Sequence, residues 1–434
     1  MKYKILSLFS GAGGLDLGFK KAGFNILYSV ENDKTTFETY EYNFPKTIHL
    51  KKSITKVSNN DIREKVDGII GGPPCQSWSE AGAQRGINDP RGKLFFEYVR
   101  IISMKKPKFF LAENVQGILF TKHSKSFNKI IKLFSGLGYD VKYQLLDAVN
   151  FGVPQNRKRI FIIGIRKDLK KKFEFPLEKI FTYPVTLKDV IFDLKDAIPA
   201  LDKNKSNGQN LKTKKNYVQN NEYMTGEFSS IYMSRNRVRS WDEPSYTIQA
   251  GGRHAPIHPS APKMLKVEKD KMIFQKKNKN KYRRLSVREC ARIQTFPDDF
   301  IFIYKRIADG YKMIGNAVPV KLSEALAIKI KKIIFWKMKK LLGILSFITI
   351  LTVPSFSALN TIEELENKNL QWIITAGDIN HFLGDGYEIT AQVTKDEITI
   401  FVLQKGEKYV GCRAKKPSSE TTCYNIVLKY AEWK

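Results

Sequence analysis

Five short apolar runs punctuate the first 166 residues, with helix-like stretches alternating between them: Ile5 to Phe9, Asn25 to Val30, Asp67 to Ile70, Phe109 to Leu111 and Ile160 to Ile165. Runs this short and continuous suit strands buried on both faces, and their alternation with helical spacing is the pattern of βαβ units. Residues 1–166 are therefore expected to form an α/β domain on a mainly parallel sheet. Gly72-Pro73-Pro74 and Gly152-Val153-Pro154 punctuate strand ends, where the ligand sites of open α/β sheets gather.

The texture then changes. Residues from about Asp202 to Tyr223 are rich in Lys, Asn, Gln and Ser with few apolar anchors, which suits a long surface loop. That loop would belong to a smaller, irregular domain over 167–281. Near Arg283 the globular pattern returns, and Ser323 to Ile334 reads as an amphipathic helix closing the first domain over 282–336.

The last hundred residues follow another logic. Met338-Lys339-Lys340 precedes an apolar run from Leu341 to Val353, then Pro354, Ser355 and Ser357. A charged start, a short apolar core and a small-x-small site describe a secretory signal peptide over 337–358. The run is short for a membrane span of about 20 residues, the alternative reading. Beyond it, Tyr387 to Val402 alternates like a β-hairpin, and Cys412 and Cys423 could pair as a disulfide. Met338 onward thus reads as a second protein joined to the first: a small β-rich module over 359–434, exported if made separately.

Charge indicates the partner. The chain carries 74 Lys and Arg against 43 Asp and Glu, a formal net charge of +31. Such an excess points to a polyanion, nucleic acid first, although a Lys-biased composition alone would also produce it. Cys75 and Cys290 lie far apart with no metal-type spacing, so no zinc site is indicated. The first three-quarters of the chain reads as reduced and cytoplasmic.

The chemistry begins directly after the first strand. In Phe9-Ser10-Gly11-Ala12-Gly13-Gly14-Leu15 the clustered glycines let backbone approach a ligand, and the helix that follows offers free N–H groups. Alone, this turn fits any dinucleotide or adenosyl cofactor, or no cofactor. Glu31 ends the next strand about 20 residues on, where a carboxylate accepts hydrogen bonds from ribose hydroxyls. Pro73-Pro74-Cys75-Gln76 holds a thiol on a rigid turn, and Arg85, Arg91 and Lys93 nearby favour the thiolate. A cysteine without such a context is more often a small buried apolar residue. Glu113-Asn114-Val115 follows another strand, and Gln155-Asn156-Arg157-Lys158-Arg159 precedes the last one. These bring a carboxyl group and two guanidiniums to the strand ends of the same sheet. Gly315-Asn316-Ala317-Val318-Pro319 forms a tight turn before the final helix.

In this order the six motifs resemble the cytosine-5 DNA methyltransferase family, over about Met1 to Trp336. The resemblance implies a Rossmann-like sheet that binds S-adenosylmethionine, a target-recognition domain and no metal. It implies that Phe9, Gly11, Gly13, Gly14, Leu15, Glu31, Ser53, Pro73, Asn316 and Val318 hold the methyl donor. Cys75 is the implied nucleophile at C6 of a flipped cytosine and Glu113 the implied proton donor to N3, with Arg157 and Arg159 anchoring Glu113 and the base. The loop from Ser77 to Lys93 is the implied lid.

One departure stands out. Where the family places an Asp toward the adenine amino group, this chain has Ser53, which predicts weaker cofactor binding. Stretches such as Met233 to Arg239 and Tyr311 to Pro319 look closest to a GGCC-specific bacterial modification methylase. Arg235, Arg237, Arg239 and Arg253, with Arg91, are therefore the expected DNA contacts, since Arg reads guanine O6 and N7. The implied protein is a monomer acting on double-stranded DNA, paired in function with a restriction endonuclease of the same site. A DNA-binding protein that has lost catalysis and a tRNA cytosine methyltransferase are the competing readings.

Overall fold

The computed structural model describes residues 3–74, 90–177 and 184–335 apart from 195, 203 and 208–217, together with five strands between 371 and 427. Its two compact units are Met1–Met338 and Lys339–Lys434.

The first unit is organised by a seven-stranded sheet. The strands are β1 (Lys4–Leu8), β2 (Asn25–Glu31), β3 (Ile48–Lys51), β4 (Gly68–Gly71), β5 (Phe109–Val115), β6 (Tyr139–Asp147) and β7 (Lys158–Arg166). Their order is β3-β2-β1-β4-β5-β7-β6. β1 to β5 pair in parallel, whereas β7 slots antiparallel between β5 and β6. The central strands are buried on both faces, as in Ile5, Leu6 and Leu8 of β1, which is why their sequence shows no alternation. Strand order reverses between β1 and β4, and the crevice beyond their carboxyl ends is the natural ligand site of such a sheet.

Four helices, α1 (Gly14–Lys21), α2 (Phe37–Asn43), α3 (Pro90–Lys105) and α4 (Ser124–Gly136), connect the strands and flank the sheet. On one face Phe95, Tyr98, Ile101 and Phe134 pack against Leu6, Ile69 and Phe110. On the other, Phe19 of α1 joins Phe24 and Phe109. The expected strands are all present. β3 and β6 were not anticipated as strands: β6 is an edge strand whose middle, Lys142 to Gln144, is exposed, so its sequence carries no apolar run.

After β7 the structure is irregular. α5 (Leu187–Ile191), the short pair β8 (Ile198–Pro199) and β9 (Glu222–Tyr223), and the hairpin β10 (Leu265–Glu268) with β11 (Lys271–Ile273) are its regular pieces. Tyr232, Val238, Ile257, Met264 and Tyr282 form a separate small core there. Within the expected loop from Asp202 to Tyr223, the Asn207 N–H donates to Glu222 Oε2 at 2.6 Å and anchors one end.

Three helices follow, α6 (Val287–Ile293), α7 (Ile307–Asn316) and α8 (Val320–Phe335), of which α8 packs on the sheet. Ser286 caps α6 with a reciprocal Glu289 contact, a capping box that fixes where the helix starts. α8 buries Leu322, Leu326, Ala327 and Ile330 against the α1 side of the sheet. Gly18 is required at this crossing, because a Cβ there would lie 2.4 Å from Ser323 Cβ. Ser323 Oγ donates to Leu15 O at 2.6 Å, and Lys331 Nζ donates to Ala22 O at 2.8 Å.

In the second unit β12 (Gln371–Ile374), β13 (Glu388–Lys395), β14 (Ile398–Lys405), β15 (Lys408–Lys415) and β16 (Thr421–Val427) form one antiparallel sheet, ordered β12-β16-β15-β14-β13. β13 and β14 are the hairpin expected from the alternation, and the register of β15 with β16 sets Cys412 opposite Cys423. The signal-like segment 337–358 lies outside the described residues. Among the described residues no helix is long and apolar enough to cross a membrane.

Candidate active site and methyl-donor cleft

A cleft of about 430 Å³ opens at the switch point between β1 and β4, within the range of roughly 300–1,000 Å³ usual for ligand pockets. Its floor is the turn after β1. Gly11 (φ 54°) and Gly13 (φ 92°) take left-handed conformations there, and so does Phe9 (φ 56°), a strained choice for a bulky residue and a mark of a functional turn. A Cβ on Gly13 would sit 2.4 Å from Phe44 Cε2, so this turn has no room for a side chain at that position.

Glu31 ties the turn to the end of β2. Its Oε2 accepts from Gly11 N at 2.8 Å, and its Oε1 accepts from Asn32 N and Asp33 N at 2.7 and 2.8 Å. Burial pushes this carboxyl above its usual range, and the three backbone donors pull it back. Asp16 is fully buried on the wall, accepting from Ser7 Oγ and Tyr40 OH, both at 2.6 Å; burial raises its carboxyl to about 6.

The expected residues Phe9, Gly11, Gly14, Leu15, Glu31, Pro73 and Val318 line this cleft, with exposed Asn316 at its rim. Gly13 shapes the turn and is not part of the lining. Ser53 lines a small adjoining cavity with Phe9, Glu31, Asn32 and Pro74. Its hydroxyl is engaged locally, accepting from Thr55 N at 3.3 Å and lying 2.8 Å from Thr55 Oγ1. Asp16, Asn32, Asp33 and Lys312 also line the cleft without having been singled out in the sequence. Asp16, two residues past the glycine pair, carried a usable signal: a carboxylate on the apolar side of α1.

At the far wall stands Glu113, on β5. Arg159, from the start of β7, places its Nε 3.1 Å from Glu113 Oε1, with both side chains mostly buried. Burial pushes the Glu113 carboxyl up, against the pull of the Arg159 and Arg157 charges. The next residue, Asn114, donates from Nδ2 to Pro73 O at 3.3 Å, and a Cβ on Gly72 would meet Glu113 Oε2 at 3.0 Å. The Gly72-Pro73-Pro74 turn is thus seated against the Glu113 strand. Cys75 and the lid from Ser77 to 89 lie outside the described residues, as does the side chain of Arg91.

Arg157, expected to anchor Glu113 and the base, makes several contacts of its own. It is buried, and its guanidinium donates to Ile248 O at 2.9 Å, Gly315 O at 2.7 Å and Ala317 O at 3.1 Å. It therefore clamps the Gly315–Ala317 turn over the cleft and bears on Glu113 as a charge. Gln155 extends the clamp: its Oε1 accepts from Ile248 N, and its Nε2 donates to Gln294 Oε1, whose own amide donates to Ile314 O.

The four arginines of the irregular region divide in two. Arg235 and Arg253 are exposed, and among the described residues neither guanidinium has an ion pair or hydrogen bond. Arg237 donates to Tyr232 O at 2.7 Å and lies over the Tyr232 ring. Arg239 pairs with Glu243 at 2.7 Å and lies over Tyr246.

A reversed sheet order, an antiparallel β7 beside β5 and a Gly-turn cleft facing a buried carboxyl define a Rossmann-like methyltransferase. More narrowly, the chain belongs to the C-5 cytosine-specific DNA methylase family, whose profile matches residues 3–332. It is 59% identical over 332 residues to the type II methyltransferase M.MthTI of Methanothermobacter thermautotrophicus, spanning 76% of this chain and 98% of that protein. It is 54% identical to M.NgoPII of Neisseria gonorrhoeae, spanning 76% and 95%. Among solved structures it resembles a DNA modification methyltransferase encoded within an E. coli prophage, with a TM-score of 0.58, 27% identity, and 76% and 99% of the two chains covered. The protein is a DNA (cytosine-5-)-methyltransferase that acts on double-stranded DNA, with S-adenosylmethionine as methyl donor.

The cleft fits that donor. Four carboxylates line it (Asp16, Glu31, Asp33 and Glu113) against the single ammonium of Lys312 among the described residues, which suits a cationic sulfonium. Ser10 Oγ, also in the lining, is buried with no hydrogen-bond partner among the described residues, which leaves it available to a ligand.

Proposed function

We propose that the protein is the modification methylase of a type II restriction system, and that it methylates C5 of a cytosine flipped out of a short duplex site, GGCC. The observation that carries this reading is Glu113: a buried carboxyl held by Arg159 on the cleft wall, against the turn that leads into Cys75.

Cytosine C5 is a weak nucleophile, so the ring has to be activated first. The Cys75 thiolate adds to C6 while Glu113 delivers its proton to N3, which leaves an enamine nucleophilic at C5. Arg159 holds the Glu113 carboxyl in place. The bound donor supplies an electrophilic methyl group, and its sulfur leaves as a neutral thioether. Loss of the C5 proton to solvent then breaks the Cys75–C6 bond, N3 returns its proton to Glu113, and aromaticity is restored. Flipping the base costs a few kcal/mol of unstacking, which DNA contacts must offset.

Residues 1–166 and 282–336 form the catalytic domain in this reading, and 167–281 the target-recognition domain. Exposed Arg235 and Arg253 are the foremost candidates for guanine or phosphate contacts, while Arg239 braces the loop that presents them. The enzyme acts as a monomer in the cytoplasm and protects DNA from a separate endonuclease of the same site. Residues 359–434 are a distinct β-rich module, and the Cys412–Cys423 register suits a disulfide wherever that module is oxidised, as in an exported protein.

Bisulfite sequencing of DNA from cells expressing the full chain tests the reading directly. Protected cytosines confined to GGCC are expected, lost in Cys75→Ala; protection at another sequence would overturn the GGCC assignment.

A further inference from the structure

Lys312 is the one ammonium among the described residues of the cleft, and it is already engaged. Its Nζ lies 2.6 Å from Asp33 Oδ2. Asp33 belongs to the loop after β2 and Lys312 to α7, so the pair joins segments from opposite ends of the catalytic sequence across the cleft rim. Both side chains remain partly exposed, at 28% and 40%.

The pair ends a continuous run of contacts. Gly11 and Asp33 donate their N–H groups to the two oxygens of Glu31, and Asp33 is fixed in turn by Thr35, whose N and Oγ1 donate to Asp33 Oδ1. Lys312 stands one helical turn before Asn316, with Met313 beside it in the lining. Moving Lys312 therefore moves the turn that roofs the cleft. The rest of this interface has other ties. Asn43 Nδ2 donates to Ile301 O at 2.8 Å, and Thr39 Oγ1 accepts from Ile303 N at 2.8 Å. The fold of the layer thus stands without the ion pair, whose position at the rim gives it a local task.

We propose that Asp33 and Lys312 form a latch across the mouth of the cleft, closing behind the methyl donor and slowing the release of donor and demethylated product. This rests on the assignment of the cleft to S-adenosylmethionine. A solvated ion pair is a weak, salt-screened bond, so the latch opens readily and sets a rate of exchange without trapping the ligand.

Pulse-chase release of tritiated S-adenosylmethionine from the full-length protein reads the latch. Asp33→Asn and Lys312→Met should each speed release about two- to fivefold, with association unchanged. The exchanged pair Asp33→Lys with Lys312→Asp should return it to within about twofold of the parent. Raising salt to about 0.5 M should speed release from the parent and leave the single variants nearly unmoved. Unchanged release in both single variants would overturn the latch. So would an effect confined to Lys312→Met, which would make Lys312 a direct partner of the donor's carboxylate. Glu31→Ala keeps the two failures apart: if it leaves donor binding intact, the assignment of the cleft itself is wrong.

Discussion

Arg159 Nε lies 3.1 Å from Glu113 Oε1, and in the proposed mechanism this contact governs how readily Glu113 holds a proton. Burial favours the protonated carboxyl and the guanidinium favours the carboxylate, so the two oppose each other. Removing Arg159 leaves burial unopposed. In Arg159→Leu the pH at which Glu113 loses its proton should move upward, and the alkaline limb of single-turnover methyl transfer should move with it. The maximal rate should fall by about 10²-fold, because the carboxyl is no longer aimed. An alkaline limb that stays in place would assign the titration to another group.

Arg157 should act through architecture. Arg157→Ala would leave the Ile248, Gly315 and Ala317 carbonyls without their charged donor in a buried site, at about 3–5 kcal/mol. Thermal unfolding should show the loss. Arg157→Lys should recover only part of it, since one ammonium cannot span three acceptors with the planar geometry of a guanidinium. The same variants should weaken donor binding, as the clamped turn roofs the cleft.

Ser53, proposed as the neighbour of the donor's adenine end, is uncharged and its hydroxyl is already engaged with Thr55. Ser53→Asp should tighten S-adenosylmethionine binding by about 1 kcal/mol, close to fivefold, measurable by calorimetry. Equal affinity in the two proteins would make the departure at this position neutral.

His258 should make its contact with α6 sensitive to acid. Its Nδ1 accepts from Ser260 N at 3.2 Å, so the proton sits on Nε2, which faces Glu289 Oε1 at 3.5 Å. Burial, chiefly, lowers its pKa from 6.5 to about 4, against the pull of Glu289. Between those values the unfolded chain takes up a proton that the native protein refuses, so stability falls as pH drops from about 6.5 toward 4. The loss approaches about 3 kcal/mol. Denaturant unfolding of His258→Gln should show a flatter profile across that interval, and an unchanged slope would remove His258 as the source.

The central sheet was legible because β1, β2, β4, β5 and β7 are largely buried on both faces and therefore read as apolar runs without strict alternation. β6 was not, because an edge strand with an exposed middle carries no such run. Glu31 and Glu113 were legible as carboxylates at strand ends. The three carbonyls that Arg157 donates to were not legible, because they lie far along the chain and carbonyls leave no trace in residue identity. Asp33 and Lys312 stayed hidden for a related reason. Each looks like an ordinary surface charge until the fold sets one beside the other.

The rings of Tyr3 and Phe335 stack with centroids 3.5 Å apart, at the two ends of the catalytic fold. With α8 lying along α1, the order in which the chain visits its parts is loosely tied to the geometry of the site. With the second unit removed, a short linker from the end of α8 to the start of β1 would close the first unit into a ring. New termini opened in a surface connection would then give a circular permutant in which Glu113, Arg159 and the Gly-rich turn keep their places.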